Sequence, residues 1–231
     1  SAPHMHAMAL DLLEPNLHKG SKVLDVGCGS GILIACMARL VFDKTNNDPS
    51  DDNESSSTDK DSDLYDSCNS GNNFDSMGAV YGIDYIPELV DFSTKNLAKD
   101  PFTKNLIKSG YIQLQAGDGW KGLPSVLGGS DSINNNKRQK SSSSSSSSGE
   151  LTDEYAESGF DCIHVGAAAA TLPIALVNQI KNGGSMIIPV GPDGNQKLYF
   201  IKKDSQGSVS QKTICGVRYV PLVKTKEAED V

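Results

Sequence analysis

The sequence predicts one α/β domain, with a mostly parallel sheet, helices on both faces and a closing antiparallel strand pair. Two observations carry this. Val23-Leu24-Asp25-Val26 empties into Gly27-Cys28-Gly29-Ser30-Gly31, an apolar run that ends in glycines at alternate positions. That is the pattern of a buried strand running into a tight turn, with a helix after it. Beyond it, short apolar runs alternate with amphipathic stretches, as strands joined by helices do in a parallel sheet.

The elements follow in order. His4–Leu13 reads as a short amphipathic helix, with Met5, Met8, Ala9 and Leu12 on one face. Lys22–Val26 is the first strand and Ile32–Val41 the helix after it. Ala79–Asp84 is the second strand, and Pro87–Ala98 a helix whose proline occupies a tolerated first-turn position. Ile112–Ala116 and Phe160–Val165 are strands three and four, the latter interrupted by Asp161 and His164. Leu172–Ile180 reads as a helix, a Gly183-Gly184 turn follows, and Ser185–Val190 is strand five. Lys197–Lys203 and Thr213–Leu222 alternate like an antiparallel pair that closes the sheet.

Two segments do not fit the alternation. Residues 43–77 are Asp, Asn and Ser with few apolar side chains, and burial there cannot offset the entropy of ordering. Residues 128–158 hold three asparagines, Lys137-Arg138-Gln139-Lys140 and a serine tract from Ser141 to Ser148. Both are expected to be disordered insertions in a single domain spanning 1–231. Replacing both with short Gly-Ser linkers should leave the fold and ligand affinity nearly intact, since loop closure costs only about 0.6 kcal/mol per doubling of length. Thermal melting checks this: a midpoint lowered by more than about 8 °C would mean that an insertion packs on the core.

The net charge of −8 is carried by 43–77, which holds ten acids and two lysines. The remainder is balanced, so neither nucleic-acid nor membrane binding is expected. No apolar stretch approaches the ~20 residues of a membrane helix, and Ser-Ala-Pro-His shows no signal-peptide pattern. The five cysteines are scattered and odd in number, unlike a disulfide framework, and predict reduced thiols in a cytoplasmic protein. No Cys/His pair has metal-ligand spacing, so no metal is expected.

The chemistry gathers at the strand ends. Gly27, Gly29 and Gly31 allow positive φ and let a ligand lie against the backbone, and the helix start beyond them offers free N–H groups. Dinucleotide enzymes usually read G-x-G-x-x-G; here the spacing is G-x-G-x-G, with Asp25 two residues earlier. Asp84 ends strand two, where a ribose-binding acid lies about 20 residues past the glycines. Gly31 and Asp84 are 53 positions apart, and 18 remain once the 35 residues of 43–77 are set aside. The insertion and the ribose acid therefore support each other. Gly117-Asp118-Gly119 after strand three either turns a carboxylate toward an adenine amine or forms a plain turn. Trp120 either flanks the adenine or covers the sheet edge.

Several further blocks stand in one order: Ser1-Ala2-Pro3-His4-Met5-His6-Ala7, Gly82-Ile83-Asp84, His164-Val165-Gly166-Ala167-Ala168-Ala169, Ile188-Pro189-Val190-Gly191 and Val217-Arg218-Tyr219-Val220-Pro221-Leu222. With the glycine loop, this set resembles the protein-L-isoaspartate(D-aspartate) O-methyltransferase family. The resemblance implies a Rossmann-like methyltransferase fold and S-adenosyl-L-methionine as cofactor. It also implies isoaspartyl-containing proteins and peptides as substrates, with a monomer as the acting unit. It implies that Ser1 is catalytic, beside the transferred methyl group. His6, Asp25, Gly27, Gly29, Ser30, Asp84, Asp118 and Gly119 match cofactor-binding positions. Val165, Gly166, Ala167 and Ala168 match the lip where the substrate backbone lies, and Val217–Leu222 borders the same cleft. Members of the family carry a segment ahead of Ser-Ala-Pro-His, so the chain is read as lacking it.

The expected nucleophile is the α-carboxylate of an isoaspartyl residue, with a pKa near ~3.5, already ionised at pH 7. No general base is then needed, and His4 and His164 are read as an exposed and a core histidine outside the catalytic set. Two alternatives stay open: a small-molecule methyltransferase, and a catalytically silent protein that keeps cofactor or peptide affinity. A nicotinamide oxidoreductase is disfavoured by the glycine spacing.

Overall fold

A computed structural model describes residues 2–42, 78–127 and 157–224. Ser1 and the two low-complexity segments, apart from residues 157 and 158, lie outside the described residues, so the expectations placed on them are not addressed by the fold.

The chain opens with α1 (Pro3–Leu13), then β1 (Lys22–Val26) and α2 (Ile32–Phe42). After them come β2 (Ala79–Asp84), α3 (Pro87–Leu97), α4 (Pro101–Lys108) and β3 (Ile112–Ala116). The second half holds β4 (Phe160–Val165), α5 (Ile174–Asn178), β5 (Ile180–Val190), β6 (Gln196–Lys203) and β7 (Val209–Val217). The seven strands form one sheet in the order β3-β2-β1-β4-β5-β6-β7. β1 to β5 run parallel; β6 is antiparallel to both β5 and β7. The mostly parallel sheet with a closing antiparallel pair, expected from the alternation, is the one observed, as is the Rossmann-like class that the resemblance implies.

Strand parity explains the two cores. Val23, Val80, Cys162 and Ile187 point to the face covered by α1, α2, α3 and α4. Leu24, Tyr81, Ile163 and Met186 point to the other, where Leu176 and Val177 of α5 pack with Leu123 and Leu127. Helix α2 is almost wholly apolar because it lies flat on the first face, so close that a side chain at Gly82 of β2 would stand 2.5 Å from Ile34. No helix among the described residues is long and apolar enough to cross a membrane.

Four elements differ from expectation. The helix read at Leu172–Ile180 is only α5, because Pro173 starts it and Gln179 already uses its carbonyl to accept from Phe160 N–H at 2.8 Å. Gly183-Gly184 is then no turn between elements but an irregularity inside β5. A Cβ at Gly184 would lie 2.9 Å from the carbonyls of Lys181 and Phe160, beside the register shift at Phe160/Cys162. At the far edge the closing strand runs Val209–Val217 rather than Thr213–Leu222. The tight turn after β6 fixes that register: Asp204 Oδ1 accepts from Gln206 N–H at 2.8 Å and Ser208 N–H at 2.9 Å. Helix α4 was not expected. Its signal is local, with Asp100 as N-cap accepting from Thr103 N–H at 3.5 Å and proline in the first turn.

Candidate functional site

The carboxyl ends of β1, β2 and β4 meet at the point where the chain order of the strands reverses, the place where open α/β sheets hold ligands. A cavity of about 500 Å³ opens there. Its floor is the glycine loop. Gly27, Gly29 and Gly31 have φ of +77°, +53° and +80°, the left-handed region anticipated from the sequence. Gly27 N–H and Cys28 N–H both point at the Ile83 carbonyl, at 2.8 and 3.3 Å, tying the loop to β2. A Cβ at Gly31 would press on Ser93 Oγ at 3.1 Å and Leu97 at 3.2 Å. Above Gly29 the space is open: a Cβ would meet only the loop's own Gly27 oxygen, at 3.9 Å. From behind, Ser93 Oγ donates to the Gly29 carbonyl at 2.9 Å and Asn96 Nδ2 to the Ser30 carbonyl at 3.1 Å, so α3 braces the loop.

Asp84 lines the cavity at the end of β2. Its Oδ2 accepts from Gly29 N–H and its Oδ1 from Ile86 N–H, both at 3.1 Å. Each carboxylate oxygen still has a lone pair to offer. The side chain therefore both shapes the loop and leaves acceptors for a ligand's hydroxyls.

Asp25 and His164 are register partners on the neighbouring strands β1 and β4. His164 Nδ1 and Asp25 Oδ1 are 2.7 Å apart, with side-chain exposures of 7 % and 2 %. Both line the cavity, as does His6 from α1. Burial above all lowers the His6 pKa. Burial, and next the Asp25 charge, push the Cys28 thiol up to about 12, which keeps it neutral at pH 7.

Of the expected site residues, His6, Asp25, Gly27, Gly29, Ser30, Asp84, Gly119, Gly166 and Ala167 come together around this cavity. Asp118 is not in its wall: Oδ1 accepts from Trp120 N–H at 2.9 Å, the local turn that the tripeptide also allowed. Val165 is buried in the core beneath the lip. Ala168 faces a neighbouring cavity of about 630 Å³. Its N–H and C=O pair with Val220 O and Leu222 N, each at 2.8 Å, so the chain's own 220–222 segment occupies that part of the lip. Trp120 lies in the wall of that neighbouring cavity, not of the first. It packs on the second core, its indole N–H donates to Leu222 O at 2.9 Å, and Lys224 Nζ stands 4.0 Å above the ring.

His164 is the site residue that sequence reasoning set aside. The available signal was parity. Asp25 and His164 each interrupt the same face of an apolar strand near its carboxyl end, and a polar residue there faces the ligand crevice, not the core. Asp161, the other interruption of β4, does structural work at the opposite end. It accepts from Lys22 N–H at 2.8 Å and pairs with Lys181 at 3.1 Å.

A family model described as Protein-L-isoaspartate(D-aspartate) O-methyltransferase matches residues 1–47 and 130–227. The chain is similar to Protein-L-isoaspartate O-methyltransferase 2 of Arabidopsis thaliana, with 35 % identity over 98 % of this chain and 52 % of that protein. It is similar to Protein-L-isoaspartate O-methyltransferase 1 of the same plant, with 36 % identity over 99 % of this chain and 70 % of that protein. It thus spans between half and three quarters of these relatives. A Plasmodium falciparum crystal structure, described as a beta-aspartate methyltransferase in complex with S-adenosyl-L-homocysteine, superimposes with a TM-score of 0.62. Its identity is 28 %, covering 97 % of this chain and 76 % of that one.

Proposed function

Because the chain belongs to the protein-L-isoaspartate(D-aspartate) O-methyltransferase family, we propose that it esterifies the α-carboxylate of isoaspartyl residues in damaged proteins, with S-adenosyl-L-methionine as methyl donor. The observation that carries this is the open glycine loop, clasped by Asp84 over a cavity whose rim is the Gly166–Ala167 lip. The donor set fits the cofactor: an acceptor acid at the end of β2 for ribose hydroxyls, a glycine with open space above it, and apolar walls from Ile32, Leu33 and Leu89. When bound, the cofactor supplies an electrophilic sulfonium methyl group.

On this reading the chain's own residues position and desolvate. Asp84 takes the ribose, and the loop from Gly27 to Ser30 holds the methionine side. Gly119 lies low enough to admit the adenine, since any side chain there would collide with Val26 at 2.7 Å. Gly166 and Ala167 present a small-residue rim over which a peptide backbone can pass. The substrate carboxylate is ionised at neutral pH and needs no base. Orientation in line with the methyl group is worth several kcal/mol, and exclusion of water favours a step in which opposite charges cancel. Ser1, assigned beside the methyl group by family resemblance, lies outside the described residues. The four described cysteines are unbridged, which supports a reducing, cytoplasmic setting, and we take the acting unit to be a monomer.

The test offers an isoaspartyl peptide and its normal aspartyl twin with labelled S-adenosyl-L-methionine and counts base-labile methyl esters. Label on the isoaspartyl peptide alone is expected. Equal labelling, or label only on a small metabolite, would overturn the assignment in favour of a different methyl acceptor. Cofactor binding without turnover would point to the silent binding protein.

A further inference from the structure

One side chain hands the backbone from the sheet to the site. Val217, the last residue of β7, stands opposite Gln196, the first of β6. Continuing that ladder would set Tyr219 against Gly194. No strand is on offer there, because residues 192–195 fold into a turn that Asn195 N–H closes on Pro192 O at 3.0 Å. The Gln196 amide takes over. Its Oε1 accepts from Tyr219 N–H at 2.6 Å and its Nε2 donates to Tyr219 O at 3.1 Å. A primary amide carries a donor and an acceptor side by side, as a strand backbone does, so it extends the ladder by one residue. Gln196 is 5 % exposed, and a buried amide is costly without such partners.

The residues beyond Tyr219 form a strap. Val220 O and Leu222 N–H pair with Ala168, each at 2.8 Å, and Trp120 donates its indole N–H to Leu222 O at 2.9 Å. Gln196 thus anchors the start of the strap and Trp120 its end. Val220, Pro221 and Leu222 line both cavities, so the strap is the partition between them. Its two ends face different surroundings. Leu222 stands beside Gly119, where a Cβ would lie 3.0 Å from it. Arg218 and Tyr219 line the second cavity and not the first, and Val220 projects with 71 % of its surface exposed.

We propose that Gln196 is a positioning residue for the methyl acceptor. Acting through Tyr219 and Val220, it fixes the start of the strap and so the side of the Gly166–Ala168 lip along which a peptide passes, while Trp120 secures the end beside Gly119. This rests on the methyl-transfer reading above, and adds to it a residue that acts on the peptide and not on the cofactor.

Gln196→Met tests it, because methionine keeps the length and bulk of the side chain and loses both hydrogen bonds. Tyr219 is half-buried, so water can take the freed backbone groups and the sheet need not unfold. By hydrogen exchange in the ligand-free chain, the Tyr219 and Ala168 amides are expected to exchange at least about tenfold faster in the variant, as loss of two hydrogen bonds predicts. The Gly166 amide, held by Val26 O at 2.7 Å, should keep its rate. In methylation assays KM for an isoaspartyl peptide should rise at least about tenfold, with kcat and the affinity for S-adenosyl-L-homocysteine within roughly threefold of the unmodified chain. Unchanged exchange at Tyr219 and Ala168, or an unchanged KM, would overturn the inference. So would equal weakening of peptide and homocysteine ligand, which is what a merely structural role predicts. Should Gln196→Met not fold, Gln196→Glu, which keeps the acceptor for Tyr219 N–H and loses the amide donor, carries the same comparisons. An unmodified chain that methylates no isoaspartyl peptide overturns the reading of function and this inference together, whereas normal methylation by Gln196→Met overturns this inference alone.

Discussion

Asp84→Ala is expected to weaken S-adenosyl-L-methionine binding by about 1–3 kcal/mol, roughly 5- to 150-fold. Two losses combine. The ligand's hydroxyls lose a charged acceptor, and Gly29 N–H and Ile86 N–H lose the carboxylate oxygens that hold them at 3.1 Å. The second loss lets the loop move away from β2, so the cavity is less organised before any ligand arrives. Asp84→Asn separates the two parts. Its amide oxygen keeps one acceptor without the charge, and an intermediate affinity should result. Calorimetry gives the affinities, and thermal melting shows whether each variant is still folded. Unchanged affinity in a folded Asp84→Ala chain would mean that the ribose is held elsewhere.

Phe160→Ala is expected to cost about 3–5 kcal/mol of stability, the range for a large aromatic removed from a close-packed core. Phe160 has no exposed surface. It meets Tyr81 of β2 edge to face, with ring centroids 5.8 Å apart, a geometry that adds to simple burial. Its backbone also begins β4 beside the irregularity in β5, so neighbouring strands have little freedom to close the void. Against a total stability of about 5–15 kcal/mol, this variant should unfold at a much lower urea concentration. Phe160 lies at the end of β4 away from the cavity, so cofactor affinity of the folded fraction should be unchanged. A loss below about 1.5 kcal/mol would show that the core relaxes around the missing ring.

Most of the residues that line the cavity were legible in the sequence. The glycine loop declares itself because positive φ is a local property of the residue: Gly27, Gly29 and Gly31 all adopt it. Asp84 was legible because strand length and crossover length are also local, once 43–77 was set aside. Asp118 was less so. Whether a carboxylate between two glycines turns to a ligand or to the N–H two residues on depends on the loop's conformation, and here it takes Trp120 N–H.

The sequence by itself determined the strand–helix alternation, the phase of each strand and the conformation of the loop. These follow from side-chain period and from backbone sterics, which act over a few residues. Tertiary structure decided what stands beside what. Asp25 and His164 are 139 positions apart, and neither residue's pattern says that β1 and β4 are neighbours in this register. The same holds for residues 220–222, which leave the sheet after Val217 and cross its end to pair with Ala168. Their alternation suggested a longer strand, but the turn at Asp204–Gly207 and its backbone bonds set the register of β7. Pro221, which has no N–H to give, pairs there only through an isolated bridge. Contacts of that kind are chosen by packing of the whole sheet, and they complete the cavity wall that the local signals had only begun.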